Sequence, residues 1–256
     1  MSKIIRAFNV TLVTKEPFRI GAKQNIMSGI DNPITTVGGR AVIQGSSLKG
    51  ALRASIEEYL ISIFAGNSAM KPCIPSAYNT LSSDEKKLIE QGKFLDGGGC
   101  SYSPNPRHRS ESICPACYLL GAQGLVGFVR VPYLYADATP EEMYAVRIDR
   151  ATGVVSDKTN RDFQIIADGI EFKGTLEIIE KDIVKGWILG QSRVIDEKLG
   201  IGANDSWLKN GTWNADTIID EFIIKRLKAI KLLGGFKSRG CGKVEINIKK
   251  DEIKQG

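Results

Sequence analysis

The stretch LLGGFKSRGCGKVEI, residues 232–246, sets the reading of the whole chain. Glycines at 234, 235, 240 and 242 alternate with Lys237, Ser238, Arg239 and Lys243. Glycine lets a backbone turn sharply and present its amides, and the cations neutralise phosphate, so the segment suits an oxyanion. Before it, Ile218, Ile219, Phe222, Ile223, Leu227 and Ile230 form an apolar stripe at helical spacing from about Ala215 to Leu233. The glycine pair 234–235 is expected to stop that helix. After it, KVEINIK alternates as a strand does. Nucleotide-binding loops run from strand to loop to helix, the reverse order, so nucleotide hydrolysis and dinucleotide binding fit poorly. A flexible, hairpin-like connection is the plain alternative.

Upstream, residues 3–14 read as a strand through Ile5, Ala7, Val10 and Leu12. A loop rich in Gly and Asn occupies 21–40 and holds Asp31. AVIQ (41–44) is a short strand, and GSSLKGALRASIEEYLISIF opens a helix. Ser46 or Ser47 is its expected N-cap, and Leu48, Leu52, Ile56, Leu60 and Ile63 form its apolar face. Residues 66–124 are irregular and read as an insertion. Strand character returns at 126–135, a polar stretch runs over 147–162, and strands resume at 163–180 around the turn signal Asp168-Gly169. Residues 183–210 are ambiguous, with room for a helix. Without its insertions the order is strand, helix, strand, strand, helix, strand. That is the α+β, ferredoxin-like (RRM-like) split βαβ unit on which many RNA-binding modules are built.

Charge is unevenly spread. Residues 1–53 hold eight Lys/Arg (Lys3, Arg6, Lys15, Arg19, Lys23, Arg40, Lys49, Arg53) against Glu16 and Asp31, which accounts for the whole formal +6. A second cationic stretch, Lys225 to Lys243, has seven Lys/Arg and no acid. Such runs attract polyanions, although a solvated face is the commoner explanation of a charge run. No apolar run approaches the roughly 18 residues that span a bilayer. The opening MSKIIRAFNVTLVTKE lacks a secretory layout and reads as a strand, so a cytoplasmic location without membrane contact is expected.

Cys100, His108, Cys114 and Cys117 have the spacing of a closed tetrahedral Zn²⁺ site, in which the C-x2-C pair reaches one ion. The surrounding insertion has few apolar residues, so a structural metal would supply folding free energy there. Reduced, unliganded thiols are the alternative. Cys73 can replace one ligand, whereas Cys241 belongs to the Gly-rich loop. Asp31 is one of two acids, with Glu16, among the eight cations of residues 1–53; it suits a divalent metal or the proton of a 2′-hydroxyl, or else an Asx turn before Asn32-Pro33. His108 is the only histidine, which disfavours histidine-based ribonuclease chemistry.

GGFKSRGCGKVEI (234–246) resembles the C-terminal Gly-rich loop of the RAMP superfamily, the RNA-binding proteins of CRISPR systems. IQGSSLKGALR (43–53) resembles that superfamily's Gly-Ser-Ser turn at the first helix. GIDNPI (29–34) and VRIDRATGVV (146–155) are similar to two parts of the repeated backbone subunit of type III (Csm/Cmr) complexes: the loop with the catalytic aspartate and the thumb-like hairpin. The resemblance implies a RAMP core with a zinc-bearing insertion (about 66–124) and a thumb (about 136–170). It implies Asp31 as catalytic residue with Mg²⁺ or Mn²⁺. It implies RNA contacts from Ser46, Ser47, Lys49, Arg53, Lys237, Ser238 and Arg239, and from Arg147 and Arg150 on the thumb. Arg19 falls where many members have histidine, and it is implied as a further, positively charged RNA contact. Implied partners are crRNA, target RNA, other subunits of the complex and stacked copies of this chain. A non-cleaving RNA-binding scaffold and a stand-alone repeat-RNA endoribonuclease are the competing functions.

Overall fold

The computed structural model describes residues 2–22, 30–64, 67–73, 83–84, 87, 100–101, 113–146, 148–155, 161–196, 201–202 and 205–250. The first strand, β1 (Lys3–Thr14), buries Phe8, Val10, Leu12 and Thr14 on one face. Ile5 and Ala7 lie in the opposite alternation, and Ile5 is exposed; the pairing with the later strand keeps one register from Ile5 to Val13, after a slip between Ile4 and Ile5. Successive side chains of a strand point to opposite faces, so the core side is the even-numbered one that begins at Phe8.

A short hairpin follows, β2 (Thr36–Val37) and β3 (Arg40–Ile43), which leads directly into α1 (Gly45–Phe64). The helix begins one residue before the expected serine caps. The Gln44 carbonyl accepts the amides of Ser47 and Leu48, so Ser46 and Ser47 belong to the first turn. Gly45 sets this entry point, since a Cβ there would stand 2.7 Å from the Val131 carbonyl oxygen and 2.9 Å from that of Pro132. Leu48, Leu52, Ile56 and Leu60 are buried as their spacing predicts, whereas Ile63 is exposed.

Next come α2 (Pro115–Leu120), β4 (Val129–Arg130) and β5 (Leu134–Ala136). The expected strand 126–135 is thus two pieces interrupted at Pro132, which has no amide for the ladder. The hairpin β6 (Glu141–Ala145) and β7 (Arg161–Ile165) forms its own two-stranded sheet. A turn closed on Thr14 then starts β8 (Glu171–Asp182). Gly169 donates to the Thr14 carbonyl at 2.7 Å, and Thr14 Oγ1 donates to Ala167 O at 2.9 Å and accepts from the Ile170 amide at 2.9 Å. On β8, Phe172, Leu176 and Ile178 are buried, in the alternation the sequence shows.

Residues 183–210 hold β9 (Trp187–Ile188), the pair β10 (Val194–Asp196) and β11 (Ile201–Gly202), and a 3₁₀ turn at Ser206–Leu208; among the described residues no α-helix forms there. The segment is held by Arg193, which is fully buried with Asp205 (3.1 Å) and stacked on Tyr118 at 4.6 Å. Tyr118 donates in turn to the Gln191 carbonyl at 2.9 Å.

The last helix, α3, runs through Ala215–Ile218, a π-helical Ile219–Ile224 and Lys225–Ala229. Asn214 and Thr217 form a reciprocal capping box at its start. Its stripe is buried as expected, but it ends at Ala229, five residues short of Gly234. The chain turns extended at Ile230 so that 231–233 can pair with 242–244. β12 (Val244–Lys250) closes the chain.

The main sheet has the order β12-β1-β8-β5-β3-β2, with β4 and β9 also on β8, and every pairing in it is antiparallel. Its buried face packs on α1 and α3 in a single hydrophobic cluster. The protein is a mixed α+β structure built on a mainly antiparallel sheet.

Candidate RNA interface and metal centre

The Gly-rich loop is a closed hairpin. Leu233 donates to the Gly242 carbonyl at 2.8 Å, and Val244 to that of Lys231 at 2.9 Å. It is laid on the segment after β1, where Gly235 donates to Arg19 O (2.8 Å) and Gly242 to Pro17 O (2.9 Å). These contacts explain two glycines. Both adopt positive φ, and a Cβ would fall 2.3 Å from Arg19 O at Gly234 and 2.5 Å from Leu233 O at Gly242. The amides of Gly235, Arg239, Cys241 and Gly242 are thereby used on protein carbonyls. The loop offers a ligand its exposed side chains Lys237, Ser238 and Arg239, more than the bare amide cradle that its composition suggests.

Phe236 organises this region. It is the single non-glycine at positive φ among the described residues. Its ring meets Phe163 of β7 edge-on at 5.2 Å and carries the guanidinium of Arg19 at 4.9 Å and of Arg239 at 5.0 Å. Arg19 is buried, with Nη2 donating to Pro33 O at 3.4 Å, and burial lowers its pKa. So Arg19 fixes the loops from beneath while Arg239 remains outside. The stacking carries no local sequence signal, because Phe163 and Phe236 come from distant elements.

The Asp31 segment is clamped into the same cluster. Asn32 bridges Phe163 in parallel, with Asn32 donating to Asp162 O and Gln164 to Asn32 O, each at 3.0 Å. Ala22 donates to Pro33 O at 2.9 Å on the other side. Asp31 itself is exposed, and its carboxylate accepts from the Asp162 amide at 3.4 Å. Further out, the β6–β7 hairpin exposes Met143, Tyr144, Val146, Ile148, Val154 and Val155. Arg150 sits in its exposed turn, where Asp149 accepts from the amides of Ala151 and Thr152. Arg147 lies outside the described residues.

The α1 start belongs to this end of the molecule. Ser55 donates to the Arg226 carbonyl at 3.0 Å, Tyr59 packs on Phe222 and Phe64 on Trp213, so α1 and α3 run antiparallel. The first turn of α1, with Ser46, Ser47 and Lys49, therefore lies where α3 gives way to the Gly-rich loop. Among the described residues, most cations of the N-terminal run are paired. Lys3 pairs with Asp182, Arg6 with Glu180 and Asp216, Lys15 with Glu245, Arg40 with Asp137 and Arg53 with Glu57. Lys49, Lys237 and Arg239 have no ion pair among the described residues.

A second site lies beside α2. Cys73, Cys100, Cys114 and Cys117 bring their four sulfurs within 4.8 Å of one another, and all but Cys73 are buried. Cys73 Sγ is 3.3 Å from Cys117 Sγ, and the Cys114 amide donates to Cys100 Sγ at 3.3 Å. Hydrogen bonds from Cys100, Cys114 and Cys73, and then Arg53, hold the Cys117 thiol far below its ordinary pKa. Four sulfurs about 2.3 Å from a central Zn²⁺ in a tetrahedron stand about 3.8 Å apart, and this cluster is of that size. The residues fit a metal such as zinc. Among the described residues the fourth group is Cys73, the alternative ligand, while His108 lies outside them.

A family model described as the RAMP superfamily matches residues 11–245, nearly the whole chain. This chain is a member of the RAMP superfamily. No curated protein matches it. Membership gives the RAMP a CRISPR-associated theme, with RNA, crRNA included, and CRISPR complexes as the partners it points to. Among the described residues, no helix of this RAMP is long and apolar enough to cross a membrane.

Proposed function

We propose that this RAMP is a crRNA-binding backbone subunit of a type III CRISPR effector complex, and that it cleaves target RNA at Asp31. One observation carries the reading: the Asp31 segment, the base of the β6–β7 hairpin and the Gly-rich loop meet at the Phe163–Phe236 contact. Three of the four segments that resemble the family's working parts thus meet at one contact. The strand order supports a ferredoxin-like core, with β12, β1, β8 and β5 taking the fourth, first, third and second places around helices α1 and α3.

In this reading Lys49, Lys237 and Arg239 hold guide phosphates, with Ser46, Ser47 and Ser238 as hydroxyl donors. The β6–β7 hairpin acts as a thumb, and its exposed apolar side chains can wedge against unstacked bases while Arg150 meets phosphate. Cleavage at a 2′-hydroxyl demands that oxygen in line with its phosphorus, so holding the strand is much of the catalysis. Asp31 is exposed, as a group that meets the strand must be, and the Asp162 amide orients its carboxylate. It can accept the 2′-hydroxyl proton or hold Mg²⁺ or Mn²⁺. Such an ion, when bound, supplies charge neutralisation at phosphate and keeps most of its waters. The four cysteines leave no open position around a metal, so their role is structural. Copies stacked head to tail would repeat the site along the guide.

The test is Asp31→Ala in the assembled complex. The expected outcome is intact target binding with cleavage reduced by about 10²-fold or more, the scale of a lost acid–base group. Equal cutting by mutant and wild type would leave a non-cleaving scaffold as the function.

A further inference from the structure

Arg53 was expected on the RNA track, yet its guanidinium points elsewhere. Nη1 donates to Cys117 Sγ at 3.3 Å, and Nη2 donates to the carbonyl of Gly121, the C-terminal cap of α2, at 2.8 Å. Glu57, one helical turn further along α1 and buried, lies 3.6 Å from Nη1. The planar fork of Arg53 is therefore shared between a sulfur of the cysteine cluster and the backbone that ends the helix carrying that sulfur.

We propose that Arg53 is the positioning and charge-compensating residue of the four-cysteine metal centre, and that through it the centre fastens the start of α1. The inference rests on the metal reading given above and adds to it. Four thiolates around a divalent cation carry a net charge of −2, and three of these cysteines are buried. Buried charge is tolerated only when it is paired and hydrogen-bonded. Arg53, shared with the buried Glu57 carboxylate, brings positive charge to the edge of the sulfur cluster, and an N–H to sulfur contact steadies a metal-bound thiolate without blocking its bond to the metal. Arginine suits the place better than lysine, because one planar group must satisfy Cys117 and Gly121 together. Arg53 also stands one turn after Lys49 on the same face of α1. Anchoring it holds the turn that presents Ser46, Ser47 and Lys49, so occupancy of the metal centre and order at the RNA-facing end of α1 are linked.

Two readouts on the purified full chain separate this role from phosphate contact. The first is competition for zinc against a chromophoric chelator. The second is single-stranded RNA binding measured across a salt series. Arg53→Met should weaken zinc binding by 10- to 100-fold, the usual effect of losing a residue that supports metal ligands. Arg53→Lys, which keeps the charge and loses the fork, should fall between Arg53→Met and wild type, and it carries the test if Arg53→Met does not fold. With zinc saturating, the salt slope of RNA binding should equal that of wild type for either variant. Zinc affinity unchanged in the variants, or a slope reduced by about 0.7 with zinc binding intact, would overturn the role and return Arg53 to the RNA track. Wild-type protein that holds no zinc would remove the metal reading itself, a result distinct from either.

Discussion

A Cβ at Gly234 would lie 2.3 Å from the Arg19 carbonyl oxygen, at φ +91°, whereas Gly240, at φ +76°, has nothing within 4 Å of its Cβ position. The two glycines look alike in the sequence and differ in what they do. Gly234→Ala meets both backbone strain and a collision with main chain that cannot yield cheaply, and should cost about 2 kcal/mol or more. Gly240→Ala meets strain alone and should cost about 1 kcal/mol. Urea unfolding of the two variants checks the order, and equal losses would mean that the close approach to Arg19 contributes nothing. At this scale residue chemistry was legible in the sequence and residue surroundings were not. The spacing of Cys100, Cys114 and Cys117 pointed to three of the four sulfurs that the fold gathers, and Cys73, the alternative to one ligand, is the fourth. Arg53 looked like a phosphate ligand since it stands beside a Gly-Ser-Ser turn. Its true neighbours, Cys117 and Gly121, arrive only through tertiary packing.

Elements with a strong period were legible almost to their ends. α3 starts at Ala215, where the stripe places it, and β12 and β8 keep their alternation. Their terminations were missed, because each depends on a partner far away in the chain. α3 stops at Ala229 so that Lys231 and Leu233 can bond Val244 and Gly242. α1 starts early because Gly45 fits against Val131 and Pro132. The N-terminus of α3 is local and can be tested locally. Asn214 accepts from the Thr217 amide at 3.0 Å, and Thr217 Oγ1 accepts from the Asn214 amide at 2.9 Å. Asn214→Ala removes the first of these bonds and should destabilise the protein by about 1 kcal/mol. Asn214→Ser should recover most of that in the same denaturant titration, since a serine hydroxyl caps equally well.

At the scale of the whole molecule, charge counted along the chain and charge presented in space are different quantities. The first 53 residues account for the entire formal net charge, yet folding pairs five of their cations with acids and buries Arg19 beneath Phe236. Among the described cations left without an ion pair are three from two remote segments: Lys49 at the start of α1, and Lys237 and Arg239 in the Gly-rich loop. The antiparallel register of α1 and α3 brings those segments to one end of the sheet. If the three cations share one strand of RNA, each neutralises a phosphate and adds about 0.7 to the slope of log affinity against log salt. Lys237→Ala with Arg239→Ala should then lower the slope by about 1.4, and adding Lys49→Ala should lower it by about 0.7 more. Lys3→Ala and Lys15→Ala, which are ion-paired, should leave it unchanged. The Lys49 step decides the issue: if it alters affinity without altering the slope in the triple variant, the helix start and the Gly-rich loop do not hold the same strand, and the groove they would form together is absent.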